Sequence, residues 1–552
     1  ARAAQQSAIA AGDKPAAPGL APQYPAIPHH DIHGLGWDID TAFSKPRGLL
    51  FPLGSFGHTG FTGTSLWMDP YSNTYVILLA NAIHPRGNPP LSNLRGQIAT
   101  ATATALGLYP NSILSEGAEP HPAPQSKDPD TSRPATSTPS TSATHPPDCG
   151  QPNLPCDPNK MASTRTGIDV LESSHFAALR KLHTIALLTN QTGLDHTGRR
   201  TIDSLNNVPG TKLTTLFSPE HGIFGAQDST HITAETDPAT HLHVTSLYGP
   251  TDADKHPSHE QLKSLDAVVI DLQDVGVRFY TYETVTGYFL EAAAREETEF
   301  HHNLKIIVLD RPNPLGGTQV QGPVSDPDLA SYIDYMPLPV RHGLTLGELA
   351  RYIVATKHLA THLSVIPMEN WSRSEYFDQT NFPWTNPSPN LRSLTAAILY
   401  PGLGFLDSTG ISVGRGTSTP FELFGAAWFD APTIAAALTA RNIPGVTFTA
   451  TTTTVAEDAD HYPFHGQTIP SVRINLSDRN ALDSPELGIE ILSVLHLLYP
   501  TRFQLDKTLR LLGSRSTLEA LQRGDDPRTI SSAWTASLGR FNSNRALALL
   551  YP

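Results

Sequence analysis

The chain has 552 residues, which at about 100–200 per domain implies several domains. Apolar residues make up 39% and charged ones 16%, with Pro (48) and Gly (40) plentiful, so much of the length belongs to loops, turns and linkers. Lys and Arg number 38 against 52 Asp and Glu, a net charge of −14 that argues against a nucleic-acid partner, and no apolar run reaches the roughly 18 residues of a membrane span.

In chain order, the Ala/Pro-rich opening to Pro28 shows no basic flank followed by an apolar stretch, so no signal peptide reads there. Thr74 to Ala80 reads as a buried strand, with Ser65 to Met68 as its hairpin partner across the turn near Asp69. Before them runs Gly54-Ser55-Phe56-Gly57-His58-Thr59-Gly60. This resembles the C-terminal end of the serine beta-lactamase and penicillin-binding-protein fold, where a Lys-Thr-Gly or His-Thr-Gly strand edges the active site. The family nucleophile Ser-x-x-Lys occurs nowhere in the sequence, and Tyr71-Ser72-Asn73 follows the His-Thr-Gly where the family order needs it earlier, so that tripeptide reads as a surface turn. The piece up to about residue 110 is expected to be a fragment of a beta-lactamase-like α+β domain without β-lactam chemistry.

From Ser115 to Asn153 there is no Val, Ile, Leu, Met, Phe, Tyr or Trp, so this stretch cannot offset its ordering entropy and reads as a disordered linker, taken as 111–163. Cys149 and Cys156, the only cysteines, fall in it and serve equally as one local loop or as two free thiols.

Beyond the linker, Thr184 to Thr189, Lys212 to Phe217, Ala267 to Leu272 and Lys305 to Leu309 are short β-branched runs, as in parallel strands covered on both faces. Val285 to Phe300 has helical spacing, Thr345-x-x-Glu348 is a capping box, and Ser484 is read as the cap of a helix entered through Pro485 and Glu486. The expected architecture is α/β: a Rossmann-like open-sheet lobe (164–395) followed by a smaller α/β lobe (396–552).

Each strand ends in a polar cluster, and open α/β sheets bind ligands beyond their carboxyl ends, so the clusters should converge. They are Asn190 after the first strand, Glu220 and His221 after the second, Asp271, Asp274, Arg278, Tyr280 and Tyr282 after the third, and Asp310, Arg311 and Asn313 after the fourth. Such a set can bind a hydroxyl-rich ligand and supply an acid and a base. Any one of these carboxylates alone reads equally well as a helix cap or an ion-pair member.

Thr166-Gly167-Ile168-Asp169, Ser218-Pro219-Glu220-His221-Gly222, Gln273-Asp274-Val275-Gly276, Arg278-Phe279-Tyr280-Thr281-Tyr282, Asp310-Arg311-Pro312-Asn313-Pro314, Arg341-His342-Gly343, Pro387-Ser388-Pro389-Asn390 and Gly414-Arg415-Gly416-Thr417 occur in the order of the NamZ family. From Thr166 onward the chain resembles that family of exo-β-N-acetylmuramidases. The resemblance implies release of N-acetylmuramic acid from the non-reducing ends of peptidoglycan fragments, in a periplasmic or secreted protein without cofactor or metal. Glu220 is assigned as general acid with Asp274 as its partner. Asn190, His221, Asp271, Arg278, Tyr280, Tyr282, Asp310, Arg311, Asn313, Arg341, His342, Asn390 and Arg415 are expected to contact sugar, with Arg415 or Arg341 on the lactyl carboxylate. Two departures stand out. Asp407-Ser408-Thr409-Gly410 replaces the family's Glu-Gly-Thr-Asn, and Glu283 takes a usually apolar place, where an exposed substitution or a local salt bridge is expected.

Other readings are weaker. Gly410-Ile411-Ser412-Val413-Gly414 spells a nucleophile elbow, which would make Ser412 an esterase nucleophile, but no long helix follows. Gly402-Leu403-Gly404 lacks the third glycine of a dinucleotide fingerprint, and no His-Glu-x-x-His occurs. A non-catalytic peptidoglycan-binding module would use the same crevice without the acid.

Overall fold

The computed structural model describes 163–552 except 229–231, 233–234 and 460, together with segments between 32 and 106. The chain divides into two compact units, Ala1–Thr141 and Ser142–Pro552. The Pro/Ser/Thr stretch and both cysteines lie outside the described residues.

In the first unit, β1 (Ile32–Gly34), β2 (Trp37–Asp40), β3 (Phe56–Thr59), β4 (Ser65–Asp69) and β5 (Thr74–Leu78) form one antiparallel sheet in that order. Buried Trp67 donates from Nε1 to Ser55 Oγ at 3.0 Å and packs with Ala99 and Ala103 of the helix Ser92–Ala105. Asp69 Oδ2 accepts from the Ser72 hydroxyl at 2.5 Å and so closes the turn before β5. β5 is not the buried strand its apolar run predicts. Tyr75 and Ile77 are 67% and 54% exposed, because β5 is the last strand of the described sheet and its alternate side chains face out.

The second unit is built on β6 (Thr184–Thr189), β7 (Lys212–Ser218), β8 (Glu235–Thr236), β9 (His243–Ser246), β10 (Ala267–Asp271), β11 (Lys305–Leu309) and β14 (His362–Ile366), in the order β14-β11-β10-β6-β7-β9-β8. All pairs are parallel except β8 with β9. Without β8 this is the doubly wound Rossmann order, and its switch point lies between β6 and β10. Alternation explains the continuous apolar runs. Ile185, Leu187, Val269 and Ile307 enter one core cluster, while Ala186, Leu188, Val268, Ile270, Ile306 and Val308 enter another. With both faces covered, each such Val, Leu or Ile contributes roughly 1.5–3 kcal/mol.

A short antiparallel pair, β12 (Gln321–Val324) and β13 (Pro339–Arg341), leads on to a three-stranded antiparallel sheet of β15 (Leu423–Gly425), β17 (Thr468–Leu476) and β16 (Val446–Thr454), with β17 central. Helices Leu394–Leu403, Ala431–Ala440 and Ser484–Leu498 belong to this part, and Arg515–Arg523, Pro527–Ala533 and Thr535–Arg545 follow them. Phe289 of the first lobe shares one core cluster with Leu399, Phe405 and Leu487 of the second.

Two helix starts differ from the sequence reading. The helix predicted from Val285 begins at Tyr282, because Tyr282 and Glu283 are buried although their polarity hides them from an apolar periodicity. The helix Ser484–Leu498 is capped by Asp483, which accepts from Glu486 N at 2.9 Å; Ser484 lies within the helix, where its hydroxyl donates to Leu399 O and accepts from Gly402 N. The capping box at Thr345 and Glu348 forms as predicted.

Candidate active site

Beyond the end of β7 the chain makes a tight turn. Gly222 N donates to Pro219 O at 3.1 Å, and His221 and Gly222 take φ of 74° and 75°. Glycine meets that requirement freely, whereas His221 is held there by hydrogen bonds to Gln227, from Nδ1 to its carbonyl at 2.8 Å among them. The turn sets Glu220 on the wall of a cleft of about 260 Å³, where Glu220 Oε2 accepts from Thr281 Oγ1 at 2.6 Å. Burial, and after it the Glu220 charge, holds the phenols of Tyr248 and Tyr332 above their ordinary value.

The floor comes from Phe279 and Tyr280. Arg278 N bonds Val340 O, so β13 pins this segment, and Phe279 stacks edge-on against Tyr400 with ring centres 5.0 Å apart. A side chain at Gly404 would meet the Phe279 ring at 2.6 Å, so only glycine fits there. The far wall belongs to the second lobe. Arg415 makes a two-pronged pair with Asp407, Nε to Oδ1 at 3.0 Å and Nη2 to Oδ2 at 2.7 Å, and lies over the Phe421 ring. Burial alone would lower the Arg415 pKa, yet the Asp407 carboxylate raises it above its ordinary value. Asp228, from the first lobe, meets this wall. Its Oδ2 accepts from Asn390 Nδ2 at 2.7 Å and lies 4.0 Å from Arg415 Nη1.

Four of the residues expected to act on or contact the sugar line this cleft, Glu220, His221, Tyr280 and Arg415, together with Asp407 of the departing segment. Asn390 stands behind it and holds Asp228. The other clusters do converge, but on one another. Asp271 is sealed by Arg311, Nε to Oδ1 at 2.6 Å and Nη2 to Oδ2 at 2.9 Å, and by the Thr201 hydroxyl at 2.5 Å. Asn190 donates to the Tyr282 hydroxyl at 2.6 Å, and that hydroxyl donates to Pro387 O. Asn313 bridges Leu344 O and Leu315 N. Asp310 accepts from the hydroxyls of Tyr551 and Thr345 and from Gly347 N, and burial pushes its pKa up to about 6. Arg278 donates to four carbonyls, those of Pro323, Leu338, Leu511 and Leu512.

The two residues given the boldest roles beside Glu220 are also withdrawn from the cleft. Arg341, expected on the lactyl carboxylate, donates to Gln319, Gln321 and the Leu315 carbonyl within the β12–β13 region. Asp274, expected as the catalytic partner, accepts from Gly276 N at 2.6 Å and does not line the cleft; burial pushes its pKa up to about 7. His342, whose Nε2 is 4.0 Å from Asp274, is fully buried, and burial pushes its pKa down to about 3. Most motif residues in this dry region bond other protein groups, whereas Asp274 Oδ1 and His342 Nε2 are buried without a hydrogen-bond partner among the described residues. Asp228 and Arg510 line the cleft, and Tyr248 stands beside Glu220, without a sequence signal, since each sits in a segment that carries no recognisable motif.

Family models for the exo-β-N-acetylmuramidase NamZ match here, the N-terminal one over 185–395 and the C-terminal one over 398–551. The peptidoglycan β-N-acetylmuramidase NamZ of Bacillus subtilis is 35% identical over 396 residues, 71% of this chain and 92% of that protein. The chain belongs to the NamZ family. Two crystal structures of DUF1343 family proteins from Bacteroides fragilis share the fold of the NamZ-like part, with 30% and 28% identity, TM-scores of 0.63 and 0.57, and coverage of 71% of this chain and 99% of each of those. A shorter similarity, 34% over 65 residues and 15% of the other protein, is to a putative D-alanyl-D-alanine carboxypeptidase of Salmonella gallinarum.

The departures from the NamZ pattern resolve differently. Asp407, one methylene shorter than the glutamate usual in NamZ proteins, still reaches Arg415 with both oxygens. Glu283 is neither exposed nor salt-bridged. It is 1% exposed, neither carboxyl oxygen has a hydrogen-bond partner among the described residues, and burial, then the nearby Asp274, pushes its pKa well above the usual carboxylate range. Ser412 is buried in an antiparallel bridge with Gly425, and its hydroxyl accepts from Gly414 N; no helix follows it, so there is no nucleophile elbow. Among the described residues no helix is long and apolar enough to cross a membrane, and no group of three or more His, Cys, Asp or Glu is placed to hold a metal ion.

Proposed function

We propose that this cleft releases N-acetylmuramic acid from the non-reducing ends of peptidoglycan fragments, with Glu220 as general acid. What carries the reading is that, of the acids singled out in the sequence for catalysis, Glu220 alone lines the open cleft, in a chain of the NamZ family. The bond between the anomeric carbon and the bridging oxygen breaks as Glu220 gives that oxygen its proton. A water adds to the anomeric carbon and loses a proton to Asp228, the cleft carboxylate held by Asn390. An acid and a carboxylate are a sufficient set for glycoside hydrolysis.

Incubation of the purified chain with the disaccharide N-acetylmuramyl-N-acetylglucosamine should yield free N-acetylmuramic acid by liquid chromatography and mass spectrometry. Binding without any turnover would instead make it a non-catalytic glycan module. The substrate polymer lies outside the cytoplasmic membrane, which supports a periplasmic or secreted location. Cell fractionation with immunodetection tests this, and confinement to the cytosol refutes it.

A further inference from the structure

We propose that Arg510 reads the carboxylate of the substrate's 3-O-lactyl group and thereby sets preference for muramyl over glucosaminyl sugars. The proposal rests on the muramidase reading above.

The charges lining the cleft make the case. Among the described residues, Glu220, Asp228 and Asp407 bring three carboxylates to the cleft lining, against the two guanidinium groups of Arg415 and Arg510. Arg415 is already committed, because both its Nε and Nη2 face Asp407 and its Nη1 faces Asp228. A substrate carboxylate would have to displace Asp407 from a two-pronged pair, the strongest geometry an arginine offers. Arg510 is exposed and has neither an ion pair nor a hydrogen bond among the described residues. Arg510 lines the same cleft as the acid, and its charge lowers the Tyr248 phenol pKa that burial and then the Glu220 charge raise. An anionic sugar entering among three carboxylates therefore meets one cation free to bind it.

The backbone beneath Arg510 is held firmly even though its side chain is free. Arg510 lies in the single turn Leu509–Leu512, and Arg278 Nη2 grips the carbonyls of Leu511 and Leu512 at 2.8 and 2.9 Å. Gly513, at φ 68°, ends that turn against the same guanidinium, where a side chain would come within 2.6 Å of Nη2. The arginine of the Arg-Phe-Tyr-Thr-Tyr signature thus anchors the segment that carries the reader, and touches no ligand itself. The fixed base keeps the guanidinium within reach of the cleft, and its planar fork matches a carboxylate with two parallel donors.

The test uses three nitrophenyl β-glycosides on the whole chain: N-acetylmuramic acid, its lactamide and N-acetylglucosamine. The lactamide keeps the shape of the lactyl group without its charge. The wild type should prefer the free acid over the lactamide. Arg510→Gln should lower kcat/KM on the acid by roughly ten- to a hundredfold, mainly through KM, and leave the lactamide and the glucosaminide within about twofold. Arg510→Lys should recover part of the loss. An acid-to-lactamide ratio unchanged by Arg510→Gln, or absent in the wild type, overturns the assignment while the muramidase reading stands. No hydrolysis of any muramide by the wild type overturns that reading, and the assignment with it.

Discussion

Two polar regions of the second unit use the same residue types to opposite ends. At the carboxyl ends of β6, β10 and β11, around the switch point, Asn190, Asp271, Arg311, Asn313 and Tyr282 are buried and bonded to one another or to backbone carbonyls. Beyond β7, where the second lobe stands opposite, Glu220, Asp228 and Arg415 face open space. The first region behaves as a polar core in which every lost partner leaves a desolvated group behind. In the second, side chains keep access to solvent and so to a ligand. A doubly wound sheet invites a ligand at its switch point; here the space there is filled by the chain's own arginine and amide groups, and the cleft is displaced toward the lobe boundary.

The contrast predicts opposite responses to mutation. Asp271→Ala should lower stability by about 3–5 kcal/mol, because Arg311 is left charged and buried, whereas the double change Asp271→Leu with Arg311→Met should cost less than either single one. Chemical denaturation checks this, and a silent Asp271→Ala would dissolve the distinction. Glu220→Gln should leave the unfolding midpoint unchanged and slow hydrolysis of the natural disaccharide roughly 10²-fold or more. The loss should be smaller on a nitrophenyl muramide, whose leaving group needs less protonation, and a wild-type rate on the disaccharide would remove Glu220 from the mechanism.

Glu283 sharpens the comparison because it is buried like the first region yet unpartnered. Its pKa is raised by burial, so the native state holds a proton that the unfolded chain releases above its ordinary carboxyl pKa. Stability from this group is therefore full at acidic pH and declines as pH rises toward the folded pKa. Glu283→Leu should flatten that decline and stabilise the protein at pH 8 by roughly 1–3 kcal/mol, readable from urea melts at pH 5 and pH 8. Asp274, pushed up to about 7, acts with the same sign, so some slope should remain below neutrality. The smallest expected effect concerns Asp228→Asn, which should slow the nitrophenyl muramide by roughly tenfold and be partly rescued by azide. A rate indifferent to both would leave the cleft with one working carboxylate.

Much of the second unit is legible in the sequence alone. The β-branched runs at β6, β7, β10 and β11 declare a buried parallel sheet because residues facing both sides must be apolar. The Pro219 and Gly222 pair declares the turn that presents Glu220, and the ordered motifs point to the NamZ family. Motif membership could not separate residues that face a ligand from those that hold the fold, since an Asp, Arg or Asn is written alike in either role. Glu283 shows the limit from the other side, for a charged residue in a helix's first turn reads as exposed until Asp274 and the core are seen around it. Asp228 and Arg510 lie 282 residues apart in sequence with no motif to join them, and only the packing of the second lobe on the first brings them to one cleft. Local chemistry thus determined the strands and the turn that carries Glu220, whereas the division between polar core and cleft was decided by tertiary burial, which sets whether a polar group must bond protein or is free to bond something else.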